Sequence, residues 1–361
     1  MNELVEGTLA RPGITPEEEY REFSEIFRVA WAEQAELRHE GWFTFADLPA
    51  RIRVVGHGLA SDVFRAFSHL RMDGTAANPK LTIDLWDGAE TGLKVEGLEP
   101  AGDLNAHGET FVSEDGRVVV TARTQTRTAF HRLSRHIAGW IGSHANLTQY
   151  EVGRPLHSEL MLWHKDRDVQ AIHSGLVARN GGGVLIGGPG GSGKSTTALS
   201  CLLAGFEYMA DDYVGLRAMP DGTFEGHSLF CSTHLEPEHL KRFPQLHRFA
   251  IPGRLPREDK SLVMLSDVCP GGLSRKTRIR AVALPRVMDQ PKTVVRPATK
   301  VEALLRLAPS SLLMLPFAGI AAQEFEKLGH FLQSVPTYWL ELGRDMGEIP
   351  LRIGEILAGH S

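Results

Sequence analysis

Gly188-Pro-Gly-Gly-Ser-Gly193-Lys194-Ser195 is the stretch that decides the reading of this chain. It fits G-x-x-x-x-G-K-S/T, the phosphate-binding loop. Before it, Val184-Leu-Ile186 is a short apolar run suited to a buried strand. After it, Thr196-Thr-Ala-Leu-Ser-Cys-Leu-Leu-Ala204 predicts a helix, with Gly205 as its end cap. Strand, glycine loop and helix in that order are the context the motif requires. Glycines let the backbone curl so that several N–H groups face one point, where a side chain would block an anion. The helix N-terminus adds its positive end. The residues that would cradle a polyphosphate are Gly188, Gly190, Gly191, Ser192, Gly193, Lys194, Ser195 and Thr196. Lys194 would reach the outer phosphates, and the Ser195 hydroxyl would ligate Mg²⁺.

Working outward, Gln170–Val177 predicts a strand, and Asn180-Gly181 is a hairpin signal leading into the loop strand. Downstream, Phe206–Ala210 predicts a strand ending in Asp211-Asp212. Carboxylates there would lie at the sheet edge where ligands of open α/β sheets gather. One can hold Mg²⁺ and the other can deprotonate an acceptor hydroxyl. Tyr213–Arg217 and Thr223-Phe224 predict a hairpin around Pro220-Asp-Gly222. Pro252, Gly253, Pro256, Pro270, Gly271 and Gly272 predict loops. Asp259-Lys260 falls in that region, and its lysine could steady a phosphoryl group. Ile279–Leu284 and Tyr338–Leu342 predict strands. Lys300–Leu307, Ala318–Leu332 and a short segment from Ile349 predict helices.

The N-terminal part reads as a smaller α+β domain over residues 1–150, and the nucleotide domain as residues 151–361. Thr15-Pro16-Glu17-Glu18 carries a capping box and opens a helix. Its Phe23, Ile26, Phe27, Ala30 and Trp31 share one face, as core residues do. Ile52–Val55 and Leu81–Trp86 predict strands. Thr110–Val112 and Val118–Thr121 predict a hairpin around Glu114-Asp-Gly116. Ala129–Ile141 predicts a helix with Leu133, Ile137 and Trp140 inward.

The chain has 361 residues, 42% hydrophobic and 23% charged, with a formal net charge of −5. That balance gives no reason to expect nucleic-acid or anionic-membrane binding. Three cysteines, Cys201, Cys231 and Cys269, argue against a disulfide framework or a cysteine metal site. The acidic start, Met1–Glu6, has no apolar signal core, and no run of ~18 apolar residues suggests a membrane span. A cytoplasmic protein is the expectation.

Three strings taken together, Ile172-His173-Ser-Gly-Leu-Val177, Gly183–Ser195 and Ala210-Asp211-Asp212, resemble the catalytic domain of the HPr kinase/phosphorylase family. The resemblance covers roughly residues 170–215. It implies a phosphoenolpyruvate-carboxykinase-like α/β catalytic fold. It also implies an ATP- and Mg²⁺-dependent kinase that transfers the γ-phosphoryl group to a hydroxyl. Carried over by position, Ser195 and Asp211 would serve the metal, Lys194 the phosphates, and Asp212 the acceptor proton. The two aspartate roles are open to exchange, and His173 would support the base. Thr196 stands where bifunctional members commonly carry Glu, and no phosphorylase signature is found. The chain is therefore more similar to stand-alone serine kinases of the family, some of which modify peptide natural products. The implied acceptor is a serine of a protein or peptide. A small-molecule hydroxyl kinase and a non-catalytic nucleotide-binding module are the alternatives. Relatives assemble into hexamers or smaller oligomers, which leaves a homo-oligomer open.

Overall fold

The computed structural model describes residues 11–98, 108–123, 125–255, 258–312 and 321–359. The expectations for Met1–Glu6, Pro256 and residues 318–320 lie outside the described residues. Packing divides the chain into two compact units. One takes residues up to Ala66, with Arg71–Trp163 and Pro252–Glu258. The other takes Phe67–Leu70, His164–Ile251 and Asp259 onward.

The elements of the first unit are α1 (Pro16–Glu33), β1 (Arg38–Phe45), β2 (Leu48–Val55), α2 (His57–Ala66), β3 (Leu81–Asp87) and α3 (Gly88–Thr91). After them come β4 (Glu109–Val112), β5 (Val118–Ala122), β6 (Thr126–His131), β7 (His136–Ile141), α4 (Gln149–Gly153) and α5 (His157–Lys165). Its strands form one sheet in the order β1-β2-β3-β7-β6-β5-β4. The pairs β2–β3 and β3–β7 are parallel, and the rest are antiparallel. Helix α1 starts where the sequence signals it, because Thr15 and Glu18 form the reciprocal capping box. Its Phe23, Phe27 and Ala30 are buried against Val55, Trp86, Val120 and Trp140, with Ile26 and Trp31 packed at the margin. Full burial of each phenyl ring is worth about 1.5–3 kcal/mol.

The helix expected over Ala129–Ile141 is instead the β6–β7 hairpin, with His131 paired to His136. Leu133, expected inward, is 64% exposed at the turn. Arg135 takes a positive φ of 58°, which no helix interior tolerates. The physical reason is tertiary. Strand β7 lies between β3 and β6, which take up its backbone groups on both sides. A short apolar run does not by itself distinguish the two periods.

The second unit begins with β8 (Val169–Arg179), β9 (Gly182–Gly187), α6 (Lys194–Leu203), β10 (Glu207–Ala210), β11 (Tyr213–Ala218) and β12 (Phe224–Ser228). Next come β13 (Ser232–Leu235), α7 (Pro237–Arg242), β14 (Ser261–Met264), α8 (Leu265–Val268) and β15 (Lys276–Val287). Last are β16 (Val294–Pro297), α9 (Lys300–Leu312), α10 (Ala321–Ser334), β17 (Thr337–Leu342) and α11 (Glu348–Ala358). An eight-stranded sheet runs β10-β8-β11-β12-β15-β17-β16, with β9 paired to both β8 and β15. Strands β13 and β14 form a separate ribbon. The β8–β9 turn uses Asn180 and Gly181 at φ 54° and 75°, as a two-residue hairpin loop of primed type requires. Both faces of the sheet are covered. On one, Val177, Val184 and Ile186 meet α6 and α11 through Leu199, Leu202, Ile353 and Ile356. On the other, Leu176 and Leu185 meet α9 and α10 through Leu307, Leu328 and Phe331. Adjacent residues along β8 and β9 thus serve opposite layers, the period of a strand buried on both sides. No described helix is long and apolar enough to cross a membrane.

Candidate active site

Strands β9, β15 and β17 run parallel, so their C-terminal ends share one edge of the sheet. The loop 188–193 leaves β9 at that edge and turns into α6. Gly191 and Gly193 have φ of 73° and 106°. A Cβ on Gly193 would stand 2.3 Å from Leu342 Cδ1 at the end of β17, so only glycine fits there. A Cβ on Gly188 would stand 2.8 Å from Ser192 Oγ. That hydroxyl is buried and makes no hydrogen bond among the described residues. A glycine cradle with a spare hydroxyl suits an incoming anion.

Lys194 opens α6 and is 7% exposed. Its ammonium donates to the carbonyls of Gly188 at 2.8 Å and Pro189 at 3.1 Å. Burial lowers its pKa, and the negative charges of Asp212 and Asp211 raise it in part. Both aspartates therefore act electrostatically on this ammonium. Ser195 is half-buried beside it, and Thr196 is buried.

The other candidates come from the β8–β11 pairing. Tyr213 is registered opposite His173, and Ser174 N–H donates to Asp212 O at 2.9 Å. This brings His173 Nε2 to 2.5 Å from Asp212 Oδ1. The histidine ring lies against Tyr213, with centroids 5.5 Å apart, and its backbone N–H donates to Ser311 Oγ of α9 at 3.1 Å. Asp211 is 4% exposed and accepts a short hydrogen bond from the Thr233 hydroxyl of β13. The two adjacent aspartates thus have different neighbours: an imidazole for Asp212 and a buried hydroxyl for Asp211.

Sequence reading missed Thr233 and Ser311, which are ordinary residues until the fold brings them close. Lys260, considered for a phosphoryl group, pairs with Glu236 at 3.5 Å at the open end of the β13–β14 ribbon. Cys201 is a buried core residue, its thiol pushed up to about 12 by burial. A cleft of about 470 Å³ flanks Gly191, Gly193 and Thr196. Its walls include Met288, Leu342 and Ile349, with His239, Arg242 and Arg344 adding polar and cationic character. Arg242 is exposed and faces this cleft.

Asp87, Glu90 and His144 bring ligand-type atoms within 4.8 Å of one another in the first unit. Their carboxylates are already engaged. Asp87 accepts from the N–H groups of Ala89, Glu90 and His144, and Glu90 accepts from those of His57 and Gly58. This cluster is a set of backbone caps.

The chain is 30% identical over 164 residues to an HPr kinase/phosphorylase of Geobacillus thermodenitrificans (strain NG80-2), a match covering 43% of this chain and 52% of that protein. It therefore spans about half the length of this curated relative. Among solved structures, the Hpr(Ser) kinase/phosphatase from Coxiella burnetii aligns with 53% of this chain and 95% of its own. The identity is 10% and the TM-score 0.27. No family model matches the chain. The chain is a mixed α/β protein with distant sequence similarity to HPr kinase/phosphorylase.

Proposed function

We propose that the chain is an ATP- and Mg²⁺-dependent kinase that phosphorylates a hydroxyl, with a serine of a protein or peptide as acceptor. The observation that carries this reading is the His173–Asp212 pair, whose carboxylate acts on the buried Lys194 of the glycine loop. The loop residues Gly188–Ser195 and Thr196 would hold the phosphates, and the adjoining cleft would take the nucleoside. The Ser195 hydroxyl and the Asp211 carboxylate would hold the metal, with Thr233 fixing the orientation of Asp211. ATP supplies the phosphoryl group, and Mg²⁺ supplies charge neutralisation when bound.

Asp212 would take the proton of the acceptor hydroxyl as its oxygen bonds to the γ-phosphorus and the bond from that phosphorus to the β–γ bridging oxygen breaks, releasing ADP. His173 holds that carboxylate in place, so its lone pair stays aimed during the transfer. Lys194 leaves the Gly188 and Pro189 carbonyls for the phosphates and stabilises charge on them. This work is positioning and electrostatics, which is what phosphoryl transfer needs from a protein. The nucleotide domain expected over residues 151–361 would be catalytic in its part from His164 onward, which belongs to the second unit apart from Pro252–Glu258. Residues 1–150 would recognise the acceptor or hold subunits of a homo-oligomer together. A cytoplasmic setting, where ATP and protein acceptors are at hand, accords with this reading.

The test is an acceptor screen with γ-labelled ATP and Mg²⁺ on a cytosolic extract split into polypeptide and small-molecule fractions. Wild type and Asp212→Asn are compared. Asp212-dependent label in polypeptide, located on serine by mass spectrometry, is the expected outcome. Label confined to small molecules would overturn the protein acceptor. ATP binding without transfer to either fraction would point to a regulatory module.

A further inference from the structure

The first unit contains a cavity that the kinase reading does not use. Its floor follows from strand register. Leu85, Gly139, Thr128 and Thr121 stand side by side across β3, β7, β6 and β5. Gly139 is closely covered in this row: a Cβ there would stand 2.6 Å from Thr128 Cγ2 and 3.0 Å from Leu85 Cδ2, so only glycine lets those side chains pack over it. Helix α5 brings in Glu159, whose carboxylate accepts a short hydrogen bond from Thr128. The resulting cavity is about 50 Å³, with Leu59 and Val63 among its apolar walls.

Three polar groups at its base are nearly inaccessible: Glu159 is 4% exposed, Thr128 5% and Thr121 6%. The Thr121 hydroxyl lines the cavity and makes no hydrogen bond among the described residues. Among the described residues Glu159 makes no ion pair, and its hydrogen-bond partner is Thr128. The other carboxylates lining the cavity are occupied. Glu151 closes the capping box of α4 and accepts from the Thr126 hydroxyl at 3.0 Å. Asp62 is held by Arg254 at 3.1 Å. A buried carboxylate served by a single hydroxyl is costly, and an ammonium group would relieve it with both charge and donors. The half-exposed Arg123, Arg154 and His157 line the outer part. The guanidinium groups of Arg123 and Arg154 attract a carboxylate. Anionic base and cationic rim therefore match a short zwitterion inserted nitrogen first.

We propose that this cavity binds a small free amino acid, its ammonium on Glu159 and Thr121 and its carboxylate against Arg123 and Arg154. The full chain would be titrated calorimetrically with glycine and β-alanine. Ethylamine and propionate, which carry only one charge each, are the matched controls. Saturable binding of at least one zwitterion, at least about tenfold tighter than either control, is expected from two charge-assisted contacts. Glu159→Gln and Thr121→Val should each weaken it, the first by about tenfold or more. Thr121→Val is isosteric and Arg123→Gln lies at the rim, so these two decide the matter if Glu159→Gln does not fold. Absence of zwitterion binding, equal binding of a control, or unchanged affinity in the folded variants would overturn the assignment.

Discussion

Two sets of buried charges, one in each unit, are treated in opposite ways. In the first, charge is matched to charge. Glu19 of α1 and Arg127 of β6 are almost fully buried and form two parallel hydrogen bonds of 2.7 and 2.8 Å. Asp84 of β3 accepts from both Arg53 and His136. In the second, the buried Lys194 bonds among the described residues only to neutral carbonyls, with the Asp212 and Asp211 carboxylates near enough to act through space. The first arrangement is complete without a ligand. The second keeps a charge available for one. Burial alone therefore says little about function, whereas the kind of partner says a good deal.

The sharpest way to break this contrast is to remove the charges of the second unit. Asp212→Asn and Lys194→Ala should each lower phosphoryl transfer by about 10²–10⁴-fold, as expected for loss of a general base or a phosphate-neutralising cation. Both proteins should stay folded by circular dichroism. Near-normal transfer in Asp212→Asn would exclude it as the base.

In the first unit the same kind of change should cost stability. Arg127→Met leaves Glu19 buried without its partner and should destabilise by about 3–5 kcal/mol. The double variant Glu19→Leu/Arg127→Met should recover most of that in urea unfolding. If the single variant were as stable as wild type, the pair would not be the closed structural unit described.

A smaller effect tests the orientation of Asp211. Thr233→Val keeps the volume and removes the hydroxyl, so transfer should fall by about tenfold, the scale of one hydrogen bond to a charged group. Metal affinity should drop with it, while the melting temperature stays near that of wild type.

The smallest effect concerns acid stability. Burial raises the Asp84 pKa, but hydrogen bonds from His136 and Arg53 outweigh it and hold the carboxyl below its usual value. A depressed folded pKa gives stability that is present above the unfolded value of about 3.9 and lost as pH falls through the folded one. Asp84→Asn should flatten the pH dependence of the urea midpoint below about pH 4.

What the sequence made legible follows the range of each interaction. The glycine loop, the α1 capping box and the Asn180-Gly181 turn are fixed by neighbours in the chain, so their residue types announce them. Strand β8 was readable from its apolar run, and the Asp211-Asp212 pair from its place after β10. The β6–β7 hairpin was not, because its strand state depends on pairing with β3, far away in sequence. Thr233 and Ser311 escaped notice for the same reason. A hydroxyl gains a role only when a remote strand or helix sets it beside an aspartate or a backbone amide.

The resting position of Lys194 also sets a threshold for entry. Its ammonium already holds two carbonyl oxygens of its own loop. An arriving group must offer it more than those neutral acceptors do. Water, sugar hydroxyls and amides cannot, whereas a polyanion can. Under the proposed function, the loop would screen its visitors by charge before any shape is tested, and neutral solutes would leave the lysine latched where it lies.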